Sequence, residues 1–524
     1  MRSACCVGID AVNDGLTPPA SAGFYGRASA WAGADDAKHH TAPPWYLSIY
    51  LITMPPIGPS YPLRNRSGSK QRAVNLIPVP VEAPGDGVSS SYKDAPGLVQ
   101  FADLGAAIRG GYTLNGRAIV VAGSSLREVL SSGASSALHT LSSSSGWVDF
   151  AGNATQICLT DGVSLYVMDR ASGVVSIPSG YPGGPRIDVL NEFLFMVDDT
   201  SGRVWWSDVG NATVIDALSF ATAESAPDNL TSCITSNEEL YLIGRSTIEP
   251  WRVVGGEEVI NKTGRVIEVG SESPYTVRRL DNSVFFLGSS EQYGQGIVYR
   301  LNGYTPQRIS TRALEEKLSG LDLSEAYAYS FVFEGDAFYA LQVPGLDTTW
   351  CFNLLSGLWF ELAELVNGEF TKHRGNVHLF AFNRNLIGAA DGKLYELDAT
   401  VSAYGSDVLC RQRTLPTIQD GGRLLRHASI DVMCDTGSGG TLMVRWSDDG
   451  GNQWGDWEYV SLGEIGNYAG DVSLHGLGSA YRRVYEFRVT DAVAWNPSDV
   501  VVRVLCQARF FSTTRKCLLV WLAG

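Results

Sequence analysis

Positive charge is scarce in this 524-residue chain: 40 Lys and Arg stand against 55 Asp and Glu, a formal net charge of −15. A protein that grips nucleic acid through its phosphates needs clustered Lys and Arg, so the charge balance argues against that mode of action. DNA passing close by is not excluded, because an acidic wall repels DNA and lets it slide. Long apolar runs are also missing. The most apolar early run, residues 45–57, is interrupted by Ser48, Thr53, Pro55 and Pro56 and is too short to span a bilayer, so no membrane insertion is expected. The N-terminus lacks the charged-then-apolar design of a secretory signal. The nine cysteines are odd in number and scattered, with no C-x-x-C, and read as reduced small hydrophobes of a protein folded in the cytosol. No G-x-S-x-G, Walker A, Rossmann fingerprint or H-E-x-x-H occurs. The expectation is a non-enzyme with no catalytic residue, no cofactor and no metal.

Glycine, at 57 residues, and aromatic residues, at 10%, are plentiful, which suits short strands joined by tight turns. A turn followed by two hydrophobic strands recurs from Asn115, Asp161, Asn191, Asn237, Asp281, Gly335 and Asn383. Four of the six steps lie between about 44 and 50 residues; one, from Asp161 to Asn191, is 30 and could mark two hairpins within one blade. A period near 45 is that of four-stranded propeller blades. The fold class expected is all-β: a β-propeller of six or seven blades over 101–404, then a β-sandwich-like domain over 405–511. An extended, proline-stiffened arm over 54–100 precedes them. TRALEEKLSGLD, from Thr311, reads as a short surface helix between blades, stopped by Gly320. Residues 1–53 show no sustained period, and 512–524 form an apolar tail.

Several stretches invite chemistry. Ser447, Asp449, Gly451 and Trp454 fit the Asp-box pattern S-x-D-x-G-x-x-W, whose physics is that of a turn: the carboxylate accepts backbone N–H groups and the indole packs beneath. CDTGSGG, from Cys434, resembles an aspartic-protease loop, but that chemistry needs a second carboxylate and no second copy exists. Acid pairs such as Asp198-Asp199 read as solvated turns. His373 and His378, five apart on a strand, point to opposite faces and have no third ligand beside them. Arg411, Arg413, Arg423 and Arg426 make residues 408–426 locally basic, either as a contact for an acidic partner or DNA or as a solvated connector.

Three segments, LDNSVFFLG, GQGIVYR and NGYTPQRIST, within Pro274–Thr311, resemble in their order the packaged-DNA stabilisation or tail-nozzle proteins of short-tailed phages. QRAVNLIPVPVE and KDAPGLVQFADLG add to the likeness, which covers roughly residues 54–511. It implies that Met54 is the natural start, with residues 1–53 an over-extended reading frame; the alternative is a genuine, poorly ordered extension. It also implies a structural protein of the virion tail, made in the host bacterial cytoplasm: a ring of identical subunits, six in the family, below the portal and its adaptor. The ring would continue the DNA channel, help retain packaged DNA, carry the needle or plug and the tailspikes or fibres, and let double-stranded DNA pass without sequence-specific binding. His373 and Arg374 match a family segment carrying H and R, which implies a structural or interface role. The alternative is a propeller that binds or hydrolyses glycans as a receptor-recognition protein.

Overall fold

Six two-residue turns set the pattern of the fold. Asn115-Gly116, Asn191-Glu192, Asn237-Glu238, Asp281-Asn282, Glu334-Gly335 and Phe382-Asn383 each hold both residues at positive φ. Such turns match the right-handed twist of the strands they join, and Asn, Asp and Gly tolerate them best. Each links the first and second strands of a four-stranded antiparallel sheet. The computed structural model describes residues 47–54, 59–62, 70–82, 88–223, 228–256, 258–290, 292, 294–468 and 472–507.

Seven such sheets follow one another. Their first strands are Ile108–Leu114, Asp149–Gly152, Ile187–Leu190, Leu230–Ser236, Arg278–Leu280, Tyr327–Phe333 and Gly375–Ala381, which open blades 1 to 7. Each first strand touches the next, and that of blade 7 touches that of blade 1, so the sheets close into a seven-bladed propeller. Closure is completed by the N-terminal side of the chain: Gly97–Asp103 pairs antiparallel with Lys393–Asp398 as the outer strand of blade 7. Gly97 is needed there, because a Cβ would lie 2.2 Å from the Val401 carbonyl oxygen. Apolar clusters fill the seven seams between neighbouring blades. Thus Phe285, Leu287, Trp350 and Trp359 pack between blades 5 and 6.

The 30-residue step is a slip of phase rather than a doubled hairpin. Asp161 sits on the turn between the second and third strands of blade 2, Gln156–Thr160 and Leu165–Asp169. The first turn of that blade is at Asn153, whose side-chain oxygen accepts from the N–H groups of Thr155 (3.0 Å) and Gln156 (2.7 Å). The helix is present as Arg312–Leu318, capped by Thr311, but it is not confined to the surface. Ala313, Leu314 and Leu318 are buried in the seam between blades 5 and 6.

Beyond the propeller stand two further sheets. One holds Leu425–Cys434 flanked by Val472–His475 and Pro497–Gln507, and Leu47–Met54 lies antiparallel along Pro497–Gln507. The other orders Arg72–Val74, Arg411–Thr414, Arg482–Val489, Thr441–Ser447 and Glu458–Ser461. It is continuous with blade 6, because Arg72–Val74 also runs parallel to Leu358–Val366. Ile430, Val432, Val502, Leu442, Val444 and Phe487 join in one core between the two sheets, and that core runs on without a break into blades 6 and 7. Part of the expected extended arm is thus spent on the chain itself, as a sheet strand (Arg72–Val74), a hairpin strand (Leu76–Glu82) and the start of a blade strand (Gly97–Asp103). Of the expected N-terminal extension, residues 1–46 lie outside the described residues, as do residues 512–524; Leu47–Met54 is a paired strand.

Candidate functional site

The propeller axis is filled. The first strand of blade 1 carries Gly110 and Gly111, and Cβ atoms there would come within 2.4 Å of the Val148 carbonyl oxygen and 2.8 Å of the Leu379 side chain. These glycines let the inner strands close up. Trp147, in the loop leading into blade 2, reaches across to Tyr327 of blade 6 with ring centroids 3.9 Å apart, and lies 6.4 Å from Tyr275. The Tyr327 hydroxyl donates to Asn376 Oδ1 of blade 7 (2.9 Å). Arg186 bridges Asp149 (2.9 Å) and the Val277 carbonyl (3.3 Å). Arg279 donates to Thr235 Oγ1 (2.9 Å) and pairs with Asp188 (3.2 Å), so blades 3, 4 and 5 are tied together at their inner edges. Burial, followed by the like charge of Arg186, pulls the Arg278 guanidinium down to about 10. Nothing as wide as a nucleic-acid duplex passes between side chains in such contact.

The residues singled out from sequence are divided by the fold. Arg411 is fully buried and donates to Asp94 Oδ2 (2.7 Å) and to the carbonyls of Val493 and Asp491. Arg413 is buried over the Tyr92 ring (5.2 Å) and donates to the Arg72 carbonyl (3.1 Å). Neither offers charge to a partner and neither is solvated, which corrects both readings of 408–426, as a contact and as a solvated connector, at these two positions. Their strand is covered on both faces, and local composition does not reveal that. Arg423 and Arg426 are exposed, Arg423 beside Asp420 at 3.7 Å. His373 is buried too. Its Nδ1 accepts from the Gly375 N–H (3.1 Å), and burial brings its pKa down to about 4. His378 contacts Asn385 Oδ1 through Nε2 (2.9 Å). Arg374 is locked by Glu364 (2.7 Å) and Asp407 (2.6 Å), which outweigh burial and raise its pKa above the ordinary value. In the Asp-box stretch, Asp449 Oδ1 accepts from the Ser447 hydroxyl (2.7 Å) and from the N–H groups of Asn452 (2.8 Å) and Gln453 (3.0 Å), while Gly451 N–H donates to Ser447 Oγ (2.8 Å). Every acceptor of that carboxylate faces its own turn.

Three features escaped the sequence reading. Asn75, at φ +55°, donates from Nδ2 to the carbonyls of Ala363 and Cys410 (2.7 Å each) and accepts on Oδ1 from Ala363 N–H (3.0 Å) and the Tyr404 hydroxyl (3.2 Å). Its only sequence signal is an Asn between two apolar strands.

The second is a ladder of alternating guanidinium groups and aromatic rings on the outer face of the sheet joined to blade 6. Arg445 lies over Trp454 (4.8 Å) and Trp457 (4.3 Å), Arg488 over Trp457 (4.7 Å) and Phe370 (5.5 Å), and Arg72 over Phe370 (5.6 Å). Arg72 and Arg445 are answered by Glu361 and Glu486. Arg488 bonds only to the Gln412 amide oxygen (2.9 and 2.6 Å) and has no ion-pair partner among the described residues.

The third is Glu239, which accepts from the hydroxyls of Tyr304 (2.8 Å) and Tyr241 (3.4 Å) and from Arg252 (2.7 Å). Burial, then Glu239, pushes the Tyr241 phenol up to about 12, which makes it a poor nucleophile near neutrality. Its role is to tie blade 4 to the Tyr304 turn of blade 5. Among the described residues, no three His, Cys, Asp or Glu side chains gather as a metal site.

Charge is divided as well. Residues 97–404 hold 35 acids and 20 bases, so the propeller alone accounts for the net charge of the chain.

With this geometry in view, residues 67–402, well over half of the chain, match the family model described as phage stabilisation, bacteriophage P22 Gp10, beta-propeller. The chain belongs to this family. The phage-stabilisation family is one of tail-nozzle proteins, located in the virion tail, and its propeller agrees with the strand pairing described above. No curated protein matches the chain. Among solved structures, this member of the family is similar to the computationally designed Ika8 protein at 13% identity and TM-score 0.34, covering 63% of this chain and 99% of that one. It is similar to the Pan2 WD40 domain of Neurospora crassa at 8% identity and TM-score 0.37, with 58% and 95% covered. For YCF48 of Cyanidioschyzon merolae the figures are 12%, 0.37, 58% and 98%. The fold assignment rests on the strand pairing and the family match.

Proposed function

We propose that this chain is a wall subunit of a phage tail nozzle, acting by shape and charge without making or breaking bonds. Copies of it, six by the pattern of the family, close into a ring below the portal and its adaptor. Packaged DNA occupies the lumen between copies, and the far end receives a needle or plug and the tailspikes or fibres. The observation that carries this reading is the filled propeller axis. A duplex cannot run through one subunit, so a subunit of this shape contributes to a channel only as part of its wall. A closed propeller with seven packed seams suits such a wall, because interiors at this density deform little. The acid excess of residues 97–404 supports a lumen that repels DNA and binds it nowhere. Residues 97–404 would form the propeller wall, and 405–507 together with the strands Leu47–Met54 and Arg72–Val74 the sandwich that buttresses it. The Asp-box residues Ser447, Asp449, Gly451 and Trp454 serve as a structural turn.

The test is a phage carrying a stop codon in this gene. Heads are expected to fill and then leak DNA, and purified protein is expected to restore retention. Heads that keep their DNA but fail to adsorb would overturn the reading in favour of receptor recognition.

A further inference from the structure

Ring closure by rotation joins two different patches of one surface, so the molecule should carry a complementary pair on opposite sides. Two patches answer that description.

The first is the ladder. On the strands Glu458–Ser461, Thr441–Ser447, Arg482–Val489 and Arg411–Thr414, the residues Tyr459, Met443, Arg488 and Gln412 stand opposite one another in register and so share one face. The other face turns Leu442, Val444 and Phe487 into the core. On the outer face Tyr459 is 68% exposed, and Val366, at the tip of the blade 6 hairpin that bears Phe370, is 47% exposed. Arg488, held between two aromatic planes, brings a positive charge that no carboxylate among the described residues answers. The ladder is therefore an aromatic strip with one cation unanswered among the described residues, on the sheet that extends blade 6.

The second patch lies across the propeller. In a ring of seven, the blades opposite blade 6 are blades 2 and 3. Residues 149–222, which form them, contain nine acids and three bases. Asp199, Asp208 and Asp216 are exposed there. The same two blades display Ile177, Val209 and Leu218 at 56%, 62% and 84% exposure. Open apolar side chains and exposed carboxylates therefore stand on the same two blades.

We propose that the ladder strip of one copy, with Arg488 and Tyr459 at its centre, docks on the acidic, apolar edge of blades 2 and 3 of the next copy. The occupant is a second copy of this chain. The match is one of charge and apolarity together, between sides that a head-to-tail ring must bring into contact. Carboxylates of the neighbour answer Arg488, whose stacking between Trp457 and Phe370 pre-orients the guanidinium for a bidentate contact. The inference rests on the ring reading above.

The test uses tails as they assemble in the virion. Particles are grown with Tyr459→p-benzoylphenylalanine from a mixture of light and heavy-isotope copies, irradiated and digested. Tyr459 is exposed and outside the core, so the variant leaves the fold intact. A mixed-isotope cross-link from position 459 to a peptide within 149–222 is expected. Cross-links only within one copy, to another region of the neighbour or to a different virion protein would overturn the interface. Chemical cross-linking of the same particles scores the ring separately. A series of multimers with no 459-to-149–222 link sinks the interface alone, and an absence of multimers sinks the ring as well. Arg488→Gln is a second arm. Tail assembly is expected to fall at least tenfold, with Arg488→Lys recovering part of it through its charge. Wild-type assembly by a soluble, folded Arg488→Gln chain would also overturn the proposal.

Discussion

Asn75 holds three parts of the chain with one side chain. Its amide spans the strand Leu358–Val366 of blade 6 and the segment leading to Arg411–Thr414, and its carbonyl also takes the hydroxyl of Tyr404. Asn is among the few residues other than glycine that visit φ near +55° without large strain. Asn75→Ala would strand two buried carbonyls and one N–H and place an unfavoured Cβ. A loss of about 3–5 kcal/mol is expected, from several unsatisfied groups at about 1–3 kcal/mol each with partial relaxation. Asn75→Gly keeps the backbone and loses only the bonds, so it should fall short of that. Urea unfolding of the two variants checks the order, and a cost under about 1 kcal/mol for Asn75→Ala would contradict the keystone role. At this scale sequence reading was weakest. The stretch around Asn75 was legible as distinctive, but its partners lie 288 and 335 residues away. Arg411 and Arg413 failed for the same reason. Their charges were visible, while the Asp94 carboxylate and the Tyr92 ring that receive them were not.

Elements were far more legible, because their signals are local. Asn-Gly, Asp-Asn and similar pairs between apolar runs declared the inner hairpins, and the period of about 45 residues declared the blades. The slip at Asp161 arose because blade 2 begins its first turn with an Asx bond at Asn153, leaving Asp161-Gly162 as the more conspicuous turn signal. The expected boundary between arm and propeller, at 100/101, cuts through the closing strand of blade 7 because pairing with Lys393–Asp398 has no signature in Gly97–Asp103 itself. That closure makes a prediction. Gly97→Val drives a side chain into the Val401 and Ala403 carbonyls and should unzip the outer strand. Hydrogen exchange should accelerate over residues 97–103 and 393–398, while blades 3 and 4 stay protected. Unchanged protection at both strands would refute the closure.

The whole molecule should be sensitive to acid. Burial holds His373, His378 and His427 down to about 4, below the ordinary value of 6.5. The unfolded chain therefore takes up protons before the folded one. The stability these groups supply is complete above pH 6.5 and disappears as the pH falls through 4. Glu361 extends the effect. Burial opposes its charge, but Arg72 and Lys317 outweigh that and hold its carboxyl down to about 2, so its contribution is present above pH 4.5 and is lost towards pH 2. The urea midpoint should be highest at and above pH 7 and drop between pH 6.5 and 4.5, with a shallower drop in a His373→Gln, His378→Gln variant. A midpoint flat from pH 7 to 4.5 would contradict the buried neutral imidazoles.

One consequence of the blade 7 closure concerns time on the ribosome. Gly97–Asp103 is synthesised early, and its partner Lys393–Asp398 appears roughly 290 residues later. At about 5–20 residues per second, that first-made strand waits about 15–60 s for its place. Six blades can stack meanwhile, but the circle stays open at its last seam, with a strand edge on each side of the gap. Nascent chains crowded on one message could trade those edges with each other, so the emergence of Lys393–Asp398 is also the step at which one propeller becomes separate from its neighbours.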